Sequence, residues 1–264
     1  MSSVLFSKFR LLGKKLERVF ALMKWSIPRK KIGTEYTAHV LAVKNSNYVR
    51  IGKIAVVSFL YHNSKSKVVI HCDQSTKEKA SFEFRHFLKR SRVQIVDVES
   101  ENDTWQVQKI NLLVAIARLE SNFYMDCDVR WNARLTLPDK CTSYVAEFKL
   151  MEKSPYRELL PHLNLSNSNI EMLNTTFVYL YPGKFTDLEL GSIVGFHDKI
   201  VHICNTEIVA RLDLPQILRL SEQLGFSFFL AKSGREFVTL KSTDGHMDGS
   251  FLESSYYGAT GVEF

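Results

Sequence analysis

The sequence predicts an α/β fold, with a largely parallel central sheet and helices on both of its faces. Three observations lead there. Dense β-branched and aromatic runs recur at 53–61 (KIAVVSFLY), 67–72 (KVVIHC), 93–98 (VQIVDV) and 122–128 (NFYMDCD), and unbroken apolar runs suit strands buried on both faces. Capped helical stretches separate the later runs, and strands alternating with helices at this spacing build a parallel sheet. At 264 residues, 45% hydrophobic and 24% charged, the chain also holds enough apolar surface for one large core.

Taken in order, the elements begin with a basic segment. Residues 1–31 carry nine Lys or Arg against the single acid Glu17, a net +8. The whole chain carries +7, so residues 32–264 carry −1. The body is neutral, and no nucleic-acid partner is expected. Leu5, Phe9, Leu12, Leu16, Val19 or Phe20, and Met23 recur three or four apart and share one helical face, with Pro28 as the stop. Basic residues interrupt the segment where a signal peptide needs an apolar stretch, and no run reaches the ~20 apolar residues that span a bilayer. An amphipathic helix of this kind suits the surface of an anionic membrane; a helix packed on its own domain is the alternative.

After the run at 53–61 comes the polar stretch YHNSKSK, and the run at 67–72 ends at Asp73. Ser75 and Glu78 have capping-box spacing and open a helix to about Arg90. Asn102 or Asp103 caps the next helix, to about Leu119, with Ile110, Leu113, Val114 and Ala117 on its inner face. SYVAEFKL (143–150) and MLNTTFVYL (172–180) read as further strands. LDLPQILRLSEQLGF (212–226) reads as one helix begun by Asp213 and Pro215, and FSFFLA (226–231) and EFVTLK (236–241) as paired strands.

Chemistry concentrates at strand ends. Ligands of parallel sheets sit beyond the carboxyl ends of strands, where Asp73 and the pair Asp126/Asp128 fall. Residues two apart on an extended chain point the same way, so the two carboxylates face one point and Cys127 turns inward. Such a pair repels unless a cation lies between, and hard oxygens select Mg²⁺ or Mn²⁺; a solvated or turn-capping Asp-x-Asp is the alternative. The four cysteines form no CxxC pair, which fits a reducing compartment, although Asn102, Asn164 and Asn174 stand in Asn-x-Ser/Thr triplets.

Residues 53 to about 181 resemble the nucleotide-sugar-binding half of a GT-A glycosyltransferase with a DxD motif, of the family-8-like kind. The resemblance rests on the order of YHNSKSK, HCD, WQVQK, DCD and LNTT; the usual Asn-Ser-Gly is here Asn174, Thr175 and Thr176. It implies a GT-A domain over 32–264, with the acceptor side in 182–264. It places the nucleoside over residues 59–63, Asn63 included, and Asp73, with Lys109 and Asn174 as further donor-binding residues. It implies Mn²⁺ (or Mg²⁺) on Asp126, Asp128 and His246, with Asp244 or Asp248 as alternatives to the histidine. An inverting reaction would need a base, Asp248 or Glu222; a retaining one would not. The expected partners are a nucleotide-sugar donor and a glycan or lipid-linked acceptor. The expected location is the cytoplasmic face of a membrane, with the Golgi lumen as alternative. A phosphatase of the haloacid-dehalogenase type, a sugar nucleotidyltransferase and a non-catalytic carbohydrate-binding scaffold are the rival readings.

Overall fold

The computed structural model describes residues 34–89, 91–98, 103–131, 134–135, 137, 143–150, 155–165, 170–206, 214–240 and 252–254, together with Met23. The expected N-terminal helix and the loop bearing Asp244, His246 and Asp248 lie outside these residues.

The chain enters the sheet through β1 (Thr37–Ala42), crosses by α1 (Ser46–His62) to β2 (Lys67–Cys72), and by α2 (Gln74–Leu88) to β3 (Val93–Asp97). A third crossover, α3 (Trp105–Ile116), returns to β4 (Asn122–Met125), followed by the short β5 (Val129–Trp131). Then come β6 (Ser143–Leu150), two 3₁₀ turns (Pro155–Leu159 and Pro161–Leu163), β7 (Glu171–Leu180), α4 (Asp187–Asn205), α5 (Leu214–Arg219), α6 (Ser221–Ser233), β8 (Val238–Leu240) and β9 (Leu252–Ser254).

Seven strands form the main sheet in the order β3-β2-β1-β4-β7-β6-β8. β1 pairs in parallel with both β2 and β4, β2 with β3, and β6 with β8; β7 runs antiparallel to β4 and β6. β5 and β9 form a separate antiparallel ribbon. Helices cover both faces. α1, α2 and Trp131 pack on one, around Val40, Phe59, Phe84, Phe123 and Phe177. α3, α4 and α6 pack on the other, around Leu113, Ile193, Leu224 and Phe228. The α/β fold with a mostly parallel sheet is therefore as the sequence predicts.

Two helices correct the expected strands. The run 53–61 belongs to α1, which is buried from Ile54 to Tyr61 without a break and so shows no amphipathic stripe; a helix apolar all round is a buried one. The first strand is instead the upstream stretch TAHVLA, Thr37–Ala42. The run FSFFLA lies in α6, buried from Ser221 to Leu230 except at Gln223. The stretch 212–226 is not one helix, because Leu220 (φ −102°, ψ 10°) divides α5 from α6. Smaller shifts concern caps: Asp73 rather than Ser75 caps α2, and Thr104 rather than Asn102 or Asp103 caps α3.

Candidate active site at the carboxyl edge of the sheet

The strand order reverses at β1, whose neighbours β2 and β4 are both parallel to it. Crossovers leave in opposite directions at such a point, and a crevice opens beyond the strand ends. Two segments line it: residues 43–48, after β1, and residues 126–128, after β4. In the first, Lys44 takes a left-handed conformation (φ 65°) and Asn45 caps α1, its side-chain oxygen accepting the Asn47 N–H at 2.8 Å. Nearly two turns into α1, Gly52 leaves room for Cys127: a Cβ on Gly52 would stand 3.4 Å from the Cys127 Cβ. That close packing brings Tyr48, 46% exposed, beside the acidic pair. Burial raises the Tyr48 phenol, and the charges of Asp128 and Asp126 add to the effect while Arg219 opposes it.

The second segment holds the acids. The Asp126 N–H donates to Thr176 O at 2.8 Å, the last tie of β4 to β7 before the chain turns. Asp126 and Asp128 thus sit in the turn joining β4 to β5, not on extended strand, while Cys127 packs against the core as expected. Asp126 Oδ1 accepts two hydrogen bonds, from the Tyr124 hydroxyl at 2.6 Å and from Lys109 Nζ at 3.0 Å. The Lys109 ammonium, 2% exposed, also donates to Glu222 Oε1 at 3.3 Å and lies 4.9 Å from the centre of the Tyr124 ring. Thr175 donates its hydroxyl to the same Glu222 oxygen at 3.3 Å. Glu222 Oε2 is buried and has no hydrogen-bond partner.

Electrostatics follow from burial. Burial would lower the Lys109 ammonium, but the charges of Asp126 and Glu222 raise it on balance, so it stays protonated. Burial, then the negative charge of Asp126, pushes the Asp128 carboxyl up to about 6. Burial likewise holds the Tyr124 phenol and the Cys127 thiol well above their ordinary values, which makes Cys127 a poor nucleophile.

The expected site residues separate into groups. Asp126, Asp128, Lys109 and Glu222 are brought together. Lys109 does not face solvent toward a donor; its ammonium is committed to two carboxylates. Glu222, 1% exposed, lies beneath Lys109 rather than in the open position a base for an acceptor hydroxyl occupies. Asp73 is at the carboxyl end of β2, lining a cleft of about 430 Å³ with Lys44, Gln74 and Ser75. Its oxygens accept from Lys44 N (2.5 Å), Ser75 Oγ (2.7 Å), Thr76 N (3.0 Å) and Thr76 Oγ1 (2.8 Å). Asn63 is at the opposite, amino-terminal edge, just before β2. It is 2% exposed and bonded to Phe59 O and Leu135 N. That position is a correction: residues 59–63 end α1, because the expected first strand is that helix. Asn174 lies on β7 opposite Ala146, its side chain outside the described part, as are His246 and Asp248.

Tyr48, Lys44 and Thr175 were missed. The signal for the first two was Asn45-Ser46-Asn47, a cap signature one residue after TAHVLAV.

Among the described residues no cluster of three His, Cys, Asp or Glu is placed to hold a metal ion. The acidic pair supplies two hard-oxygen donors, with the Asp128 carboxyl raised by burial and then by the charge of Asp126. That donor set fits Mg²⁺ or Mn²⁺.

No protein-family model matches the chain, and no curated protein matches it in sequence. Solved structures do show likeness. Mouse xyloside xylosyltransferase 1, in its apo form, is 11% identical over 79% of this chain and 86% of its own, with a TM-score of 0.46. The galactosyltransferase LgtC, complexed with donor and acceptor sugar analogues, is 10% identical over 73% and 70%, with a TM-score of 0.48. The PaToxG glycosyltransferase is 13% identical over 86% and 77%, with a TM-score of 0.42. On any fold, function is decided by the site.

Proposed function

We propose that this protein is a metal-dependent glycosyltransferase that moves a sugar from a nucleoside-diphosphate donor to a glycan or lipid-linked acceptor. The observation that carries the reading is the acidic pair Asp126/Asp128 at the switch point, braced by Lys109 and facing the β1–α1 turn. Asp126 and Asp128 hold Mn²⁺ or Mg²⁺. The bound cation supplies Lewis-acid neutralisation of the charge that develops on the departing diphosphate. Tyr124 and Lys109 fix one oxygen of Asp126, which leaves the other for the cation. The exposed ring of Tyr48 offers the nucleobase an apolar face, and the cleft by Lys44 and Ser75 takes the ribose. His246 completes the ligand set, and Asp248 serves as base if the reaction inverts the anomeric centre.

The basic segment 1–31 supports a site of action at an anionic membrane surface, on its cytoplasmic face, and hence an acceptor in surface polysaccharide or glycolipid synthesis; the Golgi lumen is the alternative location. Among the described residues no helix is long and apolar enough to cross a membrane. The test is release of nucleoside diphosphate from a panel of nucleotide sugars, with Mn²⁺ or with EDTA. Metal-dependent release by the wild type, absent from Asp128→Ala, is expected. Release that ignores EDTA would overturn the metal reading, and phosphate release from simple monoesters would favour a phosphatase.

A further inference from the structure

Glu222 is buried, 1% exposed, and keeps one carboxylate oxygen without a hydrogen-bond partner. Leaving a buried charge so incompletely satisfied is costly and calls for a reason. Among the described residues its charged hydrogen-bond partner is Lys109, 3.3 Å away, which is itself 3.0 Å from Asp126. A lysine between two carboxylates is a shared counter-ion.

The charges of the cluster can be counted. Among these four side chains, Asp126, Asp128 and Glu222 contribute three negative charges and Lys109 one positive, a formal −2. A single divalent cation neutralises that. Without Glu222, Lys109 would belong wholly to Asp126, and the pair's remaining charge would be −1. A divalent cation would then leave a net positive charge in a largely buried site and compete with the ammonium for Asp126.

We infer that Glu222 is a positioning residue for the cation site: it holds Lys109 back from Asp126 and balances its charge, so that the acidic pair binds a divalent metal. This rests on the cation reading proposed above. It also gives Glu222 a part distinct from that of a base, since it touches neither donor nor acceptor. Thr175, donating to the same Glu222 oxygen, fixes which oxygen faces the ammonium.

The experiment is calorimetric titration of Mn²⁺ into the full chain, with circular dichroism to verify folding. Glu222→Gln keeps the shape and removes the charge; it should weaken Mn²⁺ affinity by about 10-fold or more, the scale found for groups that support metal ligands. The double variant Glu222→Gln/Lys109→Met removes both charges, restores −2 from the two aspartates, and should return affinity to within about 3-fold of wild type. A role in packing alone predicts no such rescue. Unchanged affinity in folded Glu222→Gln, or a double variant no better than the single one, overturns the inference. If Glu222→Gln fails to fold, the double variant decides: affinity near wild type supports charge balance, and lost affinity contradicts it. Failure of the wild type itself to bind Mn²⁺ would sink the cation reading instead.

Discussion

Asp73 and Asp126 stand in matching positions, each directly after a parallel strand that flanks β1, yet the chain uses them differently. Asp73 is satisfied by its own surroundings. Four hydrogen bonds cap α2 and tie it to the turn after β1, while Thr76 Oγ1 donates to Ala42 O at 2.7 Å. Burial alone would raise its carboxyl, and those hydrogen bonds hold it below the ordinary range instead. Asp126 takes one oxygen's worth of partners and faces a second carboxylate, Asp128, which is pushed up to about 6. The position of an acid at a strand end therefore does not make a site. An acid whose hydrogen bonds fall on one oxygen alone can still offer the other.

This contrast can be broken by mutation. The largest effect is expected for Asp128→Ala, which should cut metal-dependent turnover about 100-fold or more, the scale of losing a group that stabilises transition-state charge. It should leave the melting temperature no lower. In EDTA, Asp128→Asn should raise it, because burial and repulsion are both relieved. A fall in melting temperature with turnover intact would reverse the assignment of the two aspartates.

Asp73→Ala should show the opposite pattern. Loss of the cap and its companion bonds is expected to cost about 2 kcal/mol, or roughly 4–8 °C in a melting experiment. Asn63→Ala sharpens the contrast from the far edge of the sheet. Two buried hydrogen bonds are lost, at about 1–2 kcal/mol, and donor affinity should not change; weakened donor binding in a folded Asn63→Ala would return that residue to the site. The smallest effect concerns pH. Because the folded Asp73 carboxyl is lower than the unfolded one, its ionised form adds stability above the ordinary carboxylate range, and that stability is lost as pH falls through the lower folded value. The stability difference between wild type and Asp73→Asn, followed by chemical denaturation, should therefore shrink below about pH 4.

Much of this architecture was legible. The runs at 67–72 and 93–98, the crossover helix with Ile110 and Leu113 inward, and the acidic pair after NFYM are where the sequence puts them. Failure came where burial erases periodicity. α1 is enclosed by the sheet, α2 and the Trp131 strand, so its apolar residues surround the axis, and Val56, Val57 and Phe59 look like strand. Mistaking that helix displaced the first strand, and with it the loop expected to bind the nucleoside was placed at residues 59–63 rather than directly after Thr37–Ala42. α6 failed the same way. The partnership of Lys109 with Glu222 spans 113 residues and has no local signature; Lys109 was noticed by resemblance, but its counter-ion only through packing.

The most direct measurement is thermal shift of the full chain with a panel of nucleotide sugars, in Mn²⁺ and in EDTA, for wild type and Asp128→Ala. At saturating ligand the wild type should gain about 5 °C or more with at least one donor, only when Mn²⁺ is present, and Asp128→Ala should gain nothing. A shift of equal size in EDTA or in Asp128→Ala would contradict a cation held by the acidic pair, and no shift with any donor would contradict the transferase itself.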